Sequence, residues 1–250
     1  MARHSANRRL ALPYTELAPL YDAVYMDKSY SGEVRYLRAE IRAHCRSGGR
    51  ELLDVGCGTG HHIQYLQKRY RCTGLDASRE MLKEARKRLP RVPLIEARME
   101  SFNIDKQFDA VICMFGAIGY TRTLPGLRKA VRCMARHLRP GGVLLIQPFE
   151  TPSAWKPGTV ITRVTERMGF AVARVTSSSE PRPSLARMEM QYLIASKFKP
   201  IQHFSEVHEL GLFAPRTIQE AIKAAGLQAK FIPRWHKGHH GMHIGVRPLS

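Results

Sequence analysis

Hydrophobic and polar residues follow one another along the chain in blocks that predict a repeated strand and helix order. Short apolar runs, of the kind that a parallel sheet buries on both faces, are separated by segments with helical periodicity. This alternation predicts a doubly wound α/β sheet with right-handed crossovers. The predicted strands are 51–55, 71–75, 92–95, 108–115 and 143–147, and the predicted helices include 32–45, 78–89, 124–138 and 215–225.

Beyond residue 148 the pattern changes to short β segments with little helix between them. Turns rich in proline and glycine separate the segments 160–166, 170–177, 186–196 and 201–205. The last helix is followed by two more strands, which bring the main sheet to seven. The pattern therefore predicts an α/β fold with a mostly parallel seven-stranded sheet and an antiparallel β insertion after the fifth strand. The two closing strands are 228–232 and 243–246.

A chain of 250 residues can form one core with a modest insertion. Residues 1–13 carry three arginines and no acid, which predicts a basic, disordered arm. Residues 14–250 are expected to form a single domain, with 14–46 as a helical lid and 150–210 as an antiparallel β cap. The lid is rich in tyrosine, and burial of these rings in the core is the alternative role for them. They are Tyr14, Tyr21, Tyr25 and Tyr30.

The composition is that of an ordinary globular protein, but its charge is strongly basic. A net charge of +19 attracts anionic partners at long range. No apolar run approaches the length of a membrane span, and the sequence shows no secretory apolar core. The five scattered cysteines lack CxxC spacing, which is typical of reduced, structural thiols. A cytoplasmic protein without membrane partners is therefore expected.

Candidate chemistry begins at a glycine-rich turn after the first strand. Gly56, Gly58 and Gly60 stand at alternate positions, and glycine accepts positive φ and leaves the backbone bare for a ligand. Asp76 ends the second strand about twenty residues after Gly56, where a carboxylate can hold ribose hydroxyls. The turn therefore predicts a nucleoside-containing cofactor. Its G-x-G-x-G spacing disfavours a dinucleotide.

These segments together resemble class I S-adenosylmethionine-dependent methyltransferases. The resemblance rests on LDVGCGTG, the acid of GLDAS, the apolar FDAVICMF and the turn and strand HLRPGGVLL. It implies S-adenosylmethionine as the methyl donor and S-adenosylhomocysteine as the product, with the ribose on Asp76. The cofactor-binding residues that it implies are Tyr30, Asp54, Gly56, Cys57, Gly58, Thr59, Gly60, His61, Asp76, Ala77, Met81, Arg98, Met99, Met114 and Phe115.

Residues 14–247 are more closely similar to N-methyltransferases that dimethylate the amino group of nucleotide-linked aminodeoxysugars. YDAVYMDKSY, CMFGAIGYT, ARVTSSS, ARMEMQY, HFSEVHELGLF and GMHIGVR carry this resemblance. It implies a small-molecule acceptor, with an anionic one as the expected class, and it leaves a homodimer open. The substrate-binding residues that it implies are Tyr25, Ile118, Gly119, Tyr120, Arg187 and His240.

The chain departs from the pattern of this group at three places. Ala97-Arg98 replaces Gly-Asp after the third strand, and His240 replaces an arginine near the C-terminus. The third departure is Gln147-Pro148-Phe149-Glu150 in place of Glu-Pro-Trp-Trp after the fifth strand.

An amine acceptor must lose a proton before it can attack a methyl group. Tyr25 and Tyr120 are expected to orient the amine, and His203 or His240 to take the proton, because imidazole exchanges protons near neutral pH. His243 is a further candidate, and a structural role is the alternative for every histidine. The expected catalytic residues are Tyr25, Tyr120, His203 and His240.

Other functions remain open as alternatives, and each depends on a different feature of the sequence. Arg128, Arg132 and Arg136 form one stripe on a predicted helix, which suggests a methyltransferase that acts on RNA or another macromolecule; a solvated face is the other explanation. The absence of an NPPY motif after the fourth strand disfavours nucleobase methylation. A nicotinamide oxidoreductase or a nucleotide-binding module is disfavoured by the glycine spacing. The histidine-rich loop 235–243 lacks a cysteine or acid, so no metal is expected.

Overall fold

Two β-sheets and the helices around them make up the protein, and a computed structural model describes residues 18, 21–24, 29–167, 169–235 and 241–249. The predicted arm 1–13 lies outside these residues. The strands are β1 Glu51–Val55, β2 Arg71–Asp76, β3 Leu94–Glu96, β4 Phe108–Cys113, β5 Leu138–Ile146, β6 Val160–Arg167, β7 Phe170–Arg182, β8 Leu185–Ser196, β9 Lys199–Gly211, β10 Gln228–Ile232 and β11 Met242–Val246. The helices are α1 Tyr21–Val24, α2 Tyr30–His44, α3 His61–Leu66, α4 Arg79–Arg88, α5 Leu124–Arg136 and α6 Pro215–Ala224, with a 3-10 helix at Ala117–Thr121.

The main sheet has seven strands in the order β10-β11-β5-β4-β1-β2-β3. All neighbours in it are parallel except those of β11, which runs antiparallel to both β5 and β10. The predicted doubly wound, mostly parallel sheet is therefore confirmed. The strand order reverses between β1 and β4, and ligands of such sheets bind in the crevice beyond the carboxyl ends of the strands at that point.

Helices cover both faces of the main sheet, so the central strands have no polar side. Leu53 and Val111 pack toward α5 and α6, whereas Leu52 and Ile112 pack toward α2, α3 and α4. Successive side chains of a strand point to opposite faces. Burial on both faces explains why β1 and β4 are near-continuous apolar runs and do not alternate.

The inserted segment forms its own antiparallel sheet in the order β6-β7-β8-β9. One face of β9 is buried through Glu206, His208 and Leu210, while the residues between them are more exposed. The same strand packs on the 3-10 helix, because a Cβ placed on Gly119 would lie 3.0 Å from the Leu210 Cβ. The inserted sheet thus packs against the main domain at the 3-10 helix that follows β4.

Several predicted strand boundaries are wrong, those of β5 and β9 among them. The predicted turn at 139–142 lies inside β5, where Phe108 still pairs with Leu138 before a shift in register brings Ala110 opposite Val143. The predicted strand 201–205 covers only part of the first half of β9, which pairs with β8 from Lys199 to Gly211. Cross-strand pairing extends β9 over charged residues that have low strand propensity.

All five cysteines are thiols, in agreement with the prediction from their spacing. Burial raises the pKa of Cys72 to about 12, with the nearby Asp54 carboxylate adding to the effect. Such thiols are packing residues with little thiolate character. Within the described chain, no helix combines the length and the apolar character needed to cross a membrane.

Candidate active site

The glycine turn lies at the carboxyl end of β1, and its backbone conformation favours glycine at three positions. Gly56, Gly58 and Gly60 all have positive φ, between 55° and 82°. A Cβ on Gly56 would lie 2.7 Å from the Ala117 Cβ, and one on Gly60 would lie 2.5 Å from Leu89 Cδ1. A side chain is excluded by backbone conformation and by space at the same time. The turn therefore presents bare backbone directly beside the 3-10 helix.

Asp76 closes the turn from the end of β2. Its Oδ2 accepts a hydrogen bond from the Gly58 N–H at 2.8 Å, and its Oδ1 accepts one from the Ser78 N–H at 2.8 Å. Burial raises the pKa of this carboxyl, and the backbone hydrogen bonds lower it by less. A carboxylate offers about four lone-pair directions, so two backbone bonds leave acceptors for the two hydroxyls of a ribose. The residues present fit a nucleoside cofactor.

Asp22 joins α1 to the glycine turn. Its Oδ1 accepts a hydrogen bond from Thr59 Oγ1 at 2.7 Å and lies 2.8 Å from His61 Nε2. Arg88 donates both to Asp22 Oδ2 and to the Thr59 carbonyl. Burial alone would raise the pKa of Asp22, but the hydrogen bonds from His61, Thr59 and Arg88 hold it well below its usual range. Sequence reasoning missed Asp22 and Arg88, because their contacts depend on elements far apart in the chain.

Tyr30 starts α2 and packs on the helix that follows the turn. Its ring stacks on His61 with 4.3 Å between centroids and meets His62 edge-on at 5.2 Å. His62 Nε2 in turn lies 2.9 Å from the buried Glu33 Oε2. The structure therefore brings together three of the residues expected around the cofactor, namely Tyr30, Thr59 and His61.

The other residues expected to bind the cofactor fall into four groups. Met99 and Met81 border the turn, because their methyl carbons lie 3.9 and 3.4 Å from Cβ positions on Gly56 and Gly58. Arg98 extends outward and pairs with Glu100 at 2.9 Å. Asp54, Cys57 and Met114 are buried behind the turn, whereas Ala77 and Phe115 are exposed at its edge.

The exit of β4 forms the other wall of the crevice. Phe115 and Gly116 both have positive φ, and the buried Gln147 accepts a hydrogen bond from the Phe115 N–H at 2.9 Å. Gln147 is one of the departures from the family pattern, and here its amide holds the turn in place. Ile118 is fully buried beneath this turn, and Gly119 is buried against Leu210 of the inserted sheet.

Tyr120, on the same 3-10 helix, contacts a buried pair on β9. Its hydroxyl lies 2.7 Å from His208 Nδ1, and His208 Nε2 lies 3.1 Å from Glu206 Oε2. The exposed fraction of His208 is 3% and that of Glu206 is 4%. Sequence reasoning missed both, although their i,i+2 spacing would place them on one face of a strand once β9 is taken to its full length.

Two predicted residues lie elsewhere on the inserted sheet. His203 is exposed, with its Nε2 2.8 Å from Gln191 Oε1, so the structure does not bring it to Tyr120. Arg187 pairs with Glu189 at 3.1 Å and with Glu209 at 3.3 Å, and Glu209 also pairs with Arg122 after the 3-10 helix. Arg187 therefore borders the site through an ion-pair network. Tyr25 and His240 fall outside the described residues.

Comparisons with known proteins agree with this geometry. The family described as "Methyltransferase domain" matches residues 52–142. The dTDP-3-amino-3,4,6-trideoxy-alpha-D-glucopyranose N,N-dimethyltransferase of Streptomyces venezuelae is 37% identical over 232 residues, 92% of this chain and 97% of the relative. The dTDP-3-amino-3,6-dideoxy-alpha-D-glucopyranose N,N-dimethyltransferase of Streptomyces fradiae is 35% identical over 98% of this chain and 97% of its own length.

Solved structures give the same result. The crystal structure of Streptomyces venezuelae DesVI matches with a TM-score of 0.87 and 35% identity, over 93% of this chain and 99% of that chain. CalS10 with bound S-adenosylmethionine, an amino pentose methyltransferase from Micromonospora echinaspora, matches with a TM-score of 0.82 and 35% identity, over 91% and 96% of the two chains. The chain therefore belongs to the class I S-adenosylmethionine-dependent methyltransferases and, within them, to the group of the sugar N,N-dimethyltransferases.

The protein is thus an S-adenosylmethionine-dependent N-methyltransferase. The resemblance read from the glycine turn, Asp76 and the later motifs is confirmed. Membership of this family excludes the two alternatives, a nicotinamide oxidoreductase and a nucleotide-binding module without catalytic activity.

Proposed function

We propose that the protein methylates the amino nitrogen of a small, nucleotide-linked amino sugar. The similarity to sugar N,N-dimethyltransferases includes the inserted sheet as well as the methyltransferase core, since it extends over more than nine tenths of the chain. The observation that carries the proposal is the wall of the crevice formed by the exit of β4 and the 3-10 helix, called here the acceptor wall. In this wall Tyr120 contacts His208 of the inserted sheet. The wall adjoins the glycine turn through Ala117.

S-adenosylmethionine supplies an electrophilic methyl group on a sulfonium when it is bound. We assign Asp76 to its ribose, the glycine turn to its methionine part, and Met99 with Arg98 to the adenine edge. Tyr30 and His61 stack on each other beside the turn, and Asp22 fixes His61 in place. These contacts support a role for the N-terminal segment as a lid over the cofactor, including Tyr25.

Tyr120 would orient the acceptor amine from the other side of the crevice. Correct orientation of reacting groups can lower a barrier by about 7–11 kcal/mol in favourable cases, so a fixed hydroxyl is valuable even without acid–base chemistry. Ile118 and Gly119 shape the wall on which Tyr120 stands. Arg187 and His240 complete the proposed acceptor site, with Arg187 acting at its edge.

An anionic acceptor is supported by charge. The net charge of +19 raises the encounter rate with a diphosphate-bearing ligand, and the effect falls with salt. Arg187 already pairs with two acidic residues. We therefore assign most of the attraction of the anionic acceptor to the net charge of the whole protein, and less of it to Arg187. We place the reaction in the cytoplasm, which the five free thiols support.

The RNA alternative is weakened by where the arginine stripe lies. Arg132 and Arg136 line a cleft between α5 and α6, together with Lys129 and Arg247. Arg247 lies beside the first half of β5, because its backbone N–H donates to the Gly142 carbonyl and its guanidinium donates to the carbonyl of Leu138, the first residue of the strand. The glycine turn lies at the opposite, carboxyl edge of the sheet. RNA bound in the cleft would therefore be held away from the methyl donor.

A panel of acceptors tests the proposed function. Formation of S-adenosylhomocysteine is measured with a dTDP-linked amino sugar, with the matched dTDP-sugar that carries a hydroxyl in place of the amine, and with RNA. We expect turnover with the amino sugar alone, because a neutral hydroxyl is a far weaker nucleophile than an amine. Turnover with RNA and none with any amino sugar would overturn the proposal.

A further inference from the structure

We propose that Glu206 and His208 form a proton relay with Tyr120, which takes the proton from the acceptor amine. The inference rests on the proposed function, because it requires an amine acceptor at Tyr120. Neither Glu206 nor His208 was expected to take part in the chemistry from the sequence. Both lie on the inserted sheet, outside the methyltransferase core, so this role gives the insertion a part in the reaction.

The hydrogen-bond chemistry fixes the direction of the relay. A carboxylate only accepts hydrogen bonds. His208 Nε2 therefore carries a hydrogen and donates a hydrogen bond to Glu206 Oε2. In the neutral imidazole Nδ1 is then the acceptor, and the Tyr120 hydroxyl donates to it across 2.7 Å. A phenol oxygen that donates its proton in this way can accept a hydrogen bond from a substrate N–H through its lone pairs.

Burial makes the carboxylate effective as a partner. The side chains of Glu206 and His208 are each only 4% exposed. Electrostatic interactions are stronger in such an environment than in water, so the carboxylate and the imidazole interact more strongly than they would at the surface. The order hydroxyl, imidazole, carboxylate is the arrangement by which a buried acid orients and supports a general base.

The proton balance of the step is simple. The acceptor arrives as an ammonium, one N–H proton moves to the Tyr120 oxygen, and the Tyr120 hydroxyl proton moves to His208 Nδ1. The nitrogen keeps the electron pair of the broken N–H bond and uses it to form the new N–CH₃ bond, while the donor C–S bond breaks. After the product leaves, His208 Nδ1 returns its proton to the Tyr120 oxygen, and the Tyr120 hydroxyl passes a proton to solvent in the crevice. A second methylation needs the same step again, because the first product is also an ammonium.

The elements around the relay carry a further cation on the same face of the inserted sheet, Arg174 of β7. It stands opposite Tyr192 and Phe204, two residues out of register with Glu206. Opposite His208 and Glu206 on β8 stand Met188 and Met190, which are uncharged. The 3-10 helix contributes Tyr120 itself. On β9 the next acid is Glu209, which pairs with Arg122 and Arg187. A change in the pH dependence is therefore assigned to the relay only where the control variants keep the wild-type profile.

Three substitutions separate proton transfer from mere support. His208→Asn keeps an acceptor near the Nδ1 position but cannot take a proton, and Glu206→Gln keeps an acceptor for Nε2 but removes the charge. Tyr120→Phe removes the first member. His44→Asn and Glu220→Gln serve as matched controls, because these residues pair with Glu40 and Arg216 on the surfaces of α2 and α6.

We expect kcat at about pH 7 to fall by about 100-fold in His208→Asn and Tyr120→Phe and by about tenfold in Glu206→Gln, within the usual range for general base catalysis. The affinity for S-adenosylmethionine, measured by calorimetry, stays unchanged. The loss should shrink as pH rises toward 9, because more acceptor then arrives as free amine. The two control variants keep wild-type kinetics.

Other outcomes count against the inference in distinguishable ways. Wild-type kcat in His208→Asn, or a loss that is the same at every pH, overturns the relay and leaves the proposed function intact. A rise in KM at constant kcat assigns the pair to binding and also overturns it. If the wild-type protein methylates no amino sugar at any pH, the proposed function fails, and the relay fails with it.

Discussion

Asp22 holds α1 against the glycine turn through side chains from two other elements. Thr59 and His61 belong to the turn and the start of α3, whereas Arg88 ends α4. The carboxylate is about one third exposed, so each bond is weaker than a fully buried one. Taken together, the contacts tie the N-terminal segment to the place where the cofactor is expected.

Replacement of Asp22 by Asn should weaken cofactor binding more than it weakens the fold. Asn keeps the shape but loses the charge that pairs with Arg88, which costs about 1 kcal/mol after allowance for solvent. We expect the Kd for S-adenosylmethionine to rise about fivefold by calorimetry. Glu80→Gln, which removes an exposed partner of Lys83 on α4, is the control and should leave Kd unchanged. An unchanged Kd in Asp22→Asn would show that α1 is not coupled to the cofactor site.

The functional role of a single residue could be predicted from the sequence in some cases and not in others. Gly56, Gly58 and Asp76 could be predicted because their roles are local, in a turn that follows a buried strand. The contacts of Asp22 with Thr59 and of His208 with Tyr120 could not be predicted, because these partners lie 37 and 88 residues apart in the chain and only the fold brings them together. The nearby His203 was preferred on residue type alone, and its expected role stays a prediction that the geometry does not favour.

At the scale of elements, β11 carries an unusual residue in a central position. It lies between β5 and β10, with His243 paired in register with Ile146 and Phe231. The imidazole is fully buried and stacks on the Phe231 ring at 4.5 Å, and neither ring nitrogen has a hydrogen-bond partner among the described residues. Burial lowers the pKa of His243 to about 4. The folded strand therefore holds the ring in its neutral form.

This burial should make the protein sensitive to mild acid. In the unfolded chain the imidazole takes a proton near its ordinary pKa of about 6.5, whereas the folded form resists protonation down to about 4. Its contribution to stability is complete above the higher value and is lost progressively as pH falls to the lower one. The loss amounts to about 3 kcal/mol at most.

Urea denaturation at several pH values can isolate this effect. His243→Phe removes the titrating group and keeps a ring beside Phe231. We expect the free energy of unfolding of the variant, relative to wild type, to rise as pH falls from 7.5 toward 4.5. A difference between the two proteins that stays constant over this range would contradict the assignment, whatever the absolute stability of the variant.

Elements with a strong local pattern were predicted well. The helix predicted over 78–89 is present as α4, with Ser78 as its N-cap accepting a hydrogen bond from the Met81 N–H, and β1 and β10 have their predicted bounds. The boundaries failed where pairing with a distant strand decides the structure. β5 continues through Pro140 and two glycines because β4 holds its start, and β9 continues through Glu206 and His208 because β8 pairs with it.

At the scale of the whole molecule, the two sheets have different proposed roles, cofactor binding and support of the acceptor site. The seven-stranded sheet presents the glycine turn, Asp76 and the β4 exit at one edge, and the four-stranded sheet supports Tyr120 from outside. The boundaries drawn for the arm, the lid and the cap stay predictions, as does a homodimer. The strongly basic charge belongs to this scale too, because it acts on anionic ligands before any contact forms.

The central claim is methyl transfer to the amine of a nucleotide-linked amino sugar, and the mass of the reacted acceptor tests it most directly. Purified protein is incubated with S-adenosylmethionine and a dTDP-linked amino sugar, and the acceptor is followed by mass spectrometry. The account predicts that it gains one methyl group and then a second, with both on the nitrogen by fragmentation. An acceptor that keeps its mass, or gains a methyl group on oxygen, would contradict the account.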